Sequence, residues 1–137
     1  MAFQVRRTAQ ARRIVDERMD RTARASYEAA RDDLRGRGCE AGGYRMAAAG
    51  GGDHPLCGRH LAYDWRMYTT YPDGESVVIV ALDRHTDEHN PAAQLAAMLP
   101  GLATVGRRSE SKPPCCMDPR EPPLLSTELR MWLETVL

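Results

Sequence analysis

The stretch Tyr71-Pro72-Asp73-Gly74-Glu75-Ser76-Val77-Val78-Ile79-Val80-Ala81-Leu82 decides the fold. Its first half is a turn with a mechanism: proline presets the backbone angle, aspartate hydrogen-bonds locally, and glycine takes the left-handed conformation. Its second half is apolar on both faces from Val77 to Leu82, the pattern of a central strand covered on each side. Upstream, Arg59 to Tyr71 is rich in aromatic and β-branched residues, so the two runs read as the arms of a hairpin. With Pro72-Asp73-Gly74 as the loop, Tyr71 pairs with Glu75, Arg66 lies opposite Val80, and position 84 lies opposite 62. Strand parity then places Arg66, Tyr68 and Arg84 on one face. His85 has the other parity, but it sits where the strand ends and the chain can turn.

Working outward toward the N-terminus, Phe3-Gln4-Val5-Arg6-Arg7 alternates as a short strand does. Thr8 caps a helix whose Ala11, Ile14, Val15 and Met19 share a face, and Asp20 caps a second with Ala23, Tyr27, Ala30 and Leu34 in a stripe. Gly36 and Gly38 supply its stop. Joined this tightly, the helices lie antiparallel and need a sheet to cover their apolar stripe. The arginines between them (among them Arg12, Arg18, Arg24 and Arg31) fall mostly off that stripe. They form either a solvated face paired with acids such as Glu28 and Asp32 or a surface for nucleic acid or an acidic partner. Between Cys39 and Gly58 the pattern is weak: a short strand at Gly43-Tyr44-Arg45-Met46, then a flexible loop over Ala47–Asp53.

Toward the C-terminus, Asp83-Arg84-His85-Thr86-Asp87-Glu88-His89 closes the central strand. Asn90-Pro91 opens a short helix carrying Ala92, Leu95, Ala96 and Leu99. Residues 101–123 read as a linker, with five prolines among its last eleven residues. Ser126 or Thr127 then caps a last helix with Leu129, Trp132, Leu133 and Val136 in one stripe, too apolar to leave in water and expected to dock on its own domain in preference to docking across a dimer. The fold class is α+β: two N-terminal antiparallel helices packed on a small antiparallel sheet over residues 1–100, a linker over 101–123, and an amphipathic helix over 124–137.

Composition narrows the function. A chain of 137 residues holds one core, and no apolar run approaches the roughly 20 residues that span a bilayer. The sequence after Met1 lacks the apolar stretch of a secretory signal, so the expected place is the cytoplasm, with no membrane partner. Four cysteines are too sparse for a disulfide scaffold, and Cys39, Cys57, Cys115 and Cys116 are expected as thiols. Net charge is zero, which disfavours bulk attraction to nucleic acid and leaves that task to a local patch. Cys39, His54, Cys57 and His60 are the residue types that hold zinc, but their spacing matches none of the paired ligand patterns, so no metal is expected.

Asp64-Trp65-Arg66-Met67-Tyr68, the Pro72-Asp73-Gly74 turn, and Val77 to Leu82 followed by Asp83-Arg84-His85 resemble the RelE/ParE superfamily of bacterial toxins over about Phe3 to Leu99. The resemblance implies a toxin of a toxin–antitoxin pair, neutralised by a cognate antitoxin protein. One branch of that family cuts messenger RNA on the ribosome; another binds gyrase without RNA chemistry, so a non-catalytic partner-binding module is the alternative. Carried over by position, Arg66 matches the arginine at the scissile phosphate, and Arg84 or His85 matches the basic position after the last strand. Arg59, His60 and Tyr68 would extend the RNA surface. The implied reaction is attack of a ribose 2′-hydroxyl on the adjacent phosphate. It needs a base, an acid and positive charge but no cofactor, and a homodimer is compatible with it.

Overall fold

Thr8 is the pivot between strand β1 (Gln4–Arg7) and helix α1 (Ala9–Glu17) in the computed structural model, which describes residues 2–48, 53–91, 94–95, 105–106, 112–135 and 137. Its hydroxyl accepts from the Ala11 amide and donates to the Val80 carbonyl at 2.5 Å, so one buried side chain caps the helix and ties it to the sheet. Asp20 caps α2 (Arg21–Arg37) by accepting from the Ala23 amide at 2.8 Å. The helix stops at Gly38, whose φ of +59° a side chain resists and whose missing Cβ leaves room for the Phe3 ring. A 3-10 turn over Gly38–Ala41 leads into the sheet.

The strands are β2 (Tyr44–Ala48), β3 (Asp53–His60), β4 (Trp65–Thr70), β5 (Ser76–Arg84) and the two-residue β6 (Val105–Gly106), in the order β1-β5-β4-β3-β2-β6. This corrects the expectation of two antiparallel helices on a small antiparallel sheet. The sheet is mixed, because β1 runs parallel to β5 with Gln4 opposite Ser76 and Val5 opposite Val77. It is also wider than expected, because the ends of the stretch read as a loop over Ala47–Asp53 belong to β2 and β3, and β6 adds an edge. The centre of that stretch lies outside the described residues.

Strand β5 is apolar throughout because it has a core on each side. Val77, Ile79 and Leu82 pack with Met67, Tyr27, Leu34 and the apolar stripes of α1 and α2. Val78, Val80 and Ala81 pack on the other side with Leu56, Tyr68, Leu95 and Leu133. Val80 and Ala81 fall on the same side because a β-bulge sits there: Tyr68 pairs with Ala81, while Thr69 pairs with Ile79. Of the short helix expected after Pro91, Leu95 is buried in this second core; Ala92, Ala96 and Leu99 lie outside the described residues.

The C-terminal helix α3 (Thr127–Glu134) closes the second core. Ser126 caps it by accepting from the Leu129 amide at 3.3 Å, and Arg6 of β1 pairs with Glu134 at 2.7 Å. That exposed ion pair contributes little, and the burial of Leu133 contributes more. Val136 lies outside the described residues. Leu133→Ala should lower the unfolding free energy by about 3 kcal/mol, measured by urea titration; an unchanged midpoint would show that α3 is not held there.

The cysteine expectation is also corrected. Cys39 is bonded to Cys116 and Cys57 to Cys115, so all four are paired. Their Cα–Cα separations of 5.9 and 5.7 Å suit disulfides. Of the stretch read as a linker, residues 105–106 form β6 on the sheet edge and residues 112–123 are fastened to the domain by these bonds, which corrects that reading. Pro114 bridges to Tyr44, the Arg45 amide donates to the Pro113 carbonyl at 2.9 Å, and the Arg45 guanidinium donates to the Cys115 carbonyl at 2.8 Å. Among the described residues, no helix is long and apolar enough to cross a membrane.

Candidate active site

Strand register, more than any pocket, assembles the candidate site. His60 lies directly opposite Arg66, and Arg66 directly opposite Asp83. Directly opposed side chains share a face with Cβ atoms about 4.5–5.5 Å apart, so His60, Arg66 and Asp83 form one row across β3, β4 and β5. The His85 amide donates to the Asp64 carbonyl at 2.9 Å, which continues the ladder past the end of β5 and gives His85 the same parity as Asp83. This face is the one whose other end carries Tyr68 and α3.

Tyr44 completes the group from β2. It pairs with Gly58, and a Cβ on Gly58 would come 3.0 Å from the Tyr44 hydroxyl, so the glycine lets the ring lie over the sheet. The ring meets His60 edge-on, with centroids 5.6 Å apart. The Lys112 ammonium sits over the same ring, 4.2 Å from its centroid.

Electrostatics separates the roles. The His60 ring is exposed at the surface, and its partial desolvation by the neighbouring side chains is the main cause of a lowered pKa; the positive charges of Arg66, Lys112 and His85 push in the same direction. The imidazole is thus held neutral further into acid than an ordinary histidine, which suits a base. Tyr44 and Tyr68 are pushed the other way, chiefly by burial, so both phenols stay protonated near neutrality; the Tyr44 ring is partly exposed, and Tyr68 is buried in the second core. Arg66 donates one hydrogen bond, to the Trp65 carbonyl at 3.0 Å, and has no ion pair among the described residues. Its nearest carboxylate across the ladder, Asp83, is engaged by His89 at 2.9 Å and by the Arg84 amide at 2.8 Å. The Arg66 charge is felt by the Asp64 carboxylate, which is itself held by Arg84. A half-buried guanidinium with no direct ion pair among the described residues, beside two imidazoles, is a place for an anion.

Of the residues expected from sequence, Arg66, His60, Tyr68 and His85 therefore come to one face. Arg84 and Arg59 do not. Arg84 pairs with Trp65, which belongs to the helix-covered core, and its guanidinium lies over that ring while making two hydrogen bonds to Asp64, at 2.7 and 3.1 Å. Arg59 is turned toward α2, donating to Asp33 at 2.8 Å and to the Ala41 carbonyl at 3.0 Å. Both are structural. No match is found. That holds for comparison with family models, with curated proteins and with solved structures alike.

Tyr44 and Lys112 were not among the expected site residues. Lys112 had one signal in the sequence, as the single lysine among 19 basic residues. Tyr44 had none beyond a weak strand. His54, of the zinc-type residues, is buried, and its Nδ1 accepts from the Leu56 amide at 3.1 Å.

Proposed function

We propose that this face cleaves RNA without a metal, by attack of a ribose 2′-hydroxyl on the adjacent phosphate. The observation that carries the reading is the row of His60 and Arg66, with His85 on the same face and, among the described residues, no carboxylate within ion-pair distance of Arg66, although its charge reaches the Asp64 carboxylate. His60 takes the proton from the 2′-hydroxyl as the new oxygen–phosphorus bond forms. Arg66 holds the phosphate oxygens through paired donors as negative charge builds on them. His85 gives a proton to the departing 5′-oxygen, leaving a 2′,3′-cyclic phosphate and a free 5′-hydroxyl. The protonated phenol of Tyr44, partly exposed beside His60, offers an edge to a base, whereas Tyr68 is buried in the second core and supports the face from beneath.

The same proposal extends to the biological role implied by the resemblance: a growth-arresting toxin acting on messenger RNA, free or on the ribosome, and restrained by a small antitoxin. A cytoplasmic place of action belongs to this reading and requires that the chain work in a reducing compartment, where its disulfides would be opened. Incubating the oxidised and the reduced protein with a single-stranded RNA in the presence of chelator tests the chemistry. Cyclic-phosphate ends should appear on RNA and no cleavage on the same sequence with 2′-deoxy sugars. Cleavage of both, or of neither, removes the assignment.

A pH profile tests His60. Its acid limb should lie below the ordinary histidine value of about 6.5, because desolvation first, and then the positive neighbours, oppose protonation. Removing one of those charges eases protonation, so Lys112→Ala should move the limb to higher pH. A limb that stays in place would assign it to another group.

A further inference from the structure

Lys112 is held in place by an unusual number of constraints for a surface lysine. The residues just after it pair with β2 through the Pro114–Tyr44 bridge, and the Cys115 amide donates to the Gly43 carbonyl at 3.0 Å. Cys115 and Cys116 then bond this segment to β3 and to the 3-10 turn. The ammonium therefore stays above Tyr44 instead of sweeping through solvent, and it has no ion pair among the described residues. The two ring separations together keep it within about 10 Å of the His60 ring, roughly one screening length at 0.1 M salt.

Lys112 hangs over β2, whereas Arg66 rises from β4. Two strand spacings separate these strands, about 10 Å. The strands beneath the two cations are thus separated by a span that a short single strand of RNA covers, with Tyr44 on β2 and His60 on β3 along the way. Resting on the RNA reading above, we infer that Lys112 is a second phosphate subsite of the same face, placed there by the disulfide-fastened segment, so that the ligand is an oligonucleotide with at least two phosphates and not a mononucleotide.

The chemistry of each group supports this division. The Arg66 fork suits the planar, two-point grip needed where the phosphate reacts, and a lysine suits a neighbouring phosphate that needs only a point charge. The cystines enter as positioning groups: opening Cys57–Cys115 and Cys39–Cys116 frees the segment and spreads the ammonium over many positions.

The experiment measures binding of a uniformly 2′-O-methylated hexanucleotide, which cannot be cleaved, by fluorescence anisotropy across a salt series. A mononucleotide competitor is run alongside. Each phosphate neutralised on a single strand contributes a slope of about −0.7 in log K against log salt. Lys112→Ala should flatten the slope by about that amount and weaken the hexanucleotide about tenfold, leaving the mononucleotide unaffected, and Lys112→Arg should restore both. Reductant should reproduce the Lys112→Ala effect on the intact protein and add nothing to that variant. An unchanged slope in Lys112→Ala, while Arg66→Ala weakens binding, overturns the subsite and leaves the RNA reading standing. Absence of hexanucleotide binding by the intact protein overturns both. If the reduced protein loses its fold, the lysine variants decide the matter alone.

Discussion

Reducing both disulfides will lower the melting temperature by roughly 20 °C or more. The Cys39–Cys116 bond closes a separation of 77 residues and Cys57–Cys115 one of 58. In the chain-entropy account, either loop alone is worth about 4 kcal/mol. The two are nested, so the second bond closes only the short remaining circuit and adds about 3 kcal/mol. The combined loss is comparable to the whole stability of an ordinary domain, about 5–15 kcal/mol. A thermal melt with and without reductant measures the total. The double variants Cys39→Ser with Cys116→Ser, and Cys57→Ser with Cys115→Ser, apportion it. Tyr71 should report the second bond, since its hydroxyl lies 3.3 Å from the Cys115 sulfur and its buried phenol is pushed up to about 12. Melting unchanged by reductant, with four titratable thiols in the untreated protein, would show that the bonds do not form.

The cysteines illustrate what the sequence could not convey. Spacing and number carry no pairing information, and 77 intervening residues hide the closeness of Cys39 and Cys116. Topology brings them together: β2 and the 3-10 turn lie beside each other, and the chain returns past both after β6. By contrast, Thr8, Asp20 and Ser126 were readable as caps because a cap is a local device within one turn of its helix. The same holds for α1, α2 and α3, whose apolar stripes have the period of a helix.

The site was half legible for a physical reason that can be located at one residue. The turn at Pro72-Asp73-Gly74 is where the sequence places it, but pairing begins at Thr70 and Val78, two residues wider in sum than the tight loop supposed. A shift of two keeps parity. The bulge at Val80–Ala81 then adds one more residue, and a shift of one exchanges the faces of everything beyond it. Arg84 is thereby carried to the helix side and Asp83 and His85 to the face of Arg66. Nothing in the run Val78-Ile79-Val80-Ala81 marks a bulge, since every position is apolar whichever way it points. The parallel pairing of β1 with β5 was equally hidden, because a four-residue strand of mixed polarity suits either direction.

The exchange of Arg84 for His85 makes the largest effect on activity a contrast between two arginines that sequence alone treats alike. Arg66→Ala should reduce RNA cleavage by about 10²–10³-fold, the loss typical when one donor to a developing oxyanion is removed. The fold should survive, because the side chain is half exposed and its single hydrogen bond goes to a neighbouring carbonyl. Arg66→Lys keeps the charge but loses the fork, so it should recover affinity for RNA more than turnover. Arg84→Ala removes a guanidinium engaged by Asp64 and Trp65 on the other face, and turnover should stay at the level of the unaltered chain. Expression in a bacterial strain whose cytoplasm lets disulfides form offers a parallel readout: the intact chain and Arg84→Ala should arrest growth, and Arg66→Ala should not. The measurement is the rate of cyclic-phosphate product under saturating RNA, with circular dichroism confirming that each variant is folded. Equal losses in Arg66→Ala and Arg84→Ala would mean that the two act through stability, since side chains on opposite faces of one sheet cannot grip the same phosphate. Full activity in Arg66→Ala would leave the row of His60, Arg66 and Asp83 as a structural ladder and remove the nuclease reading.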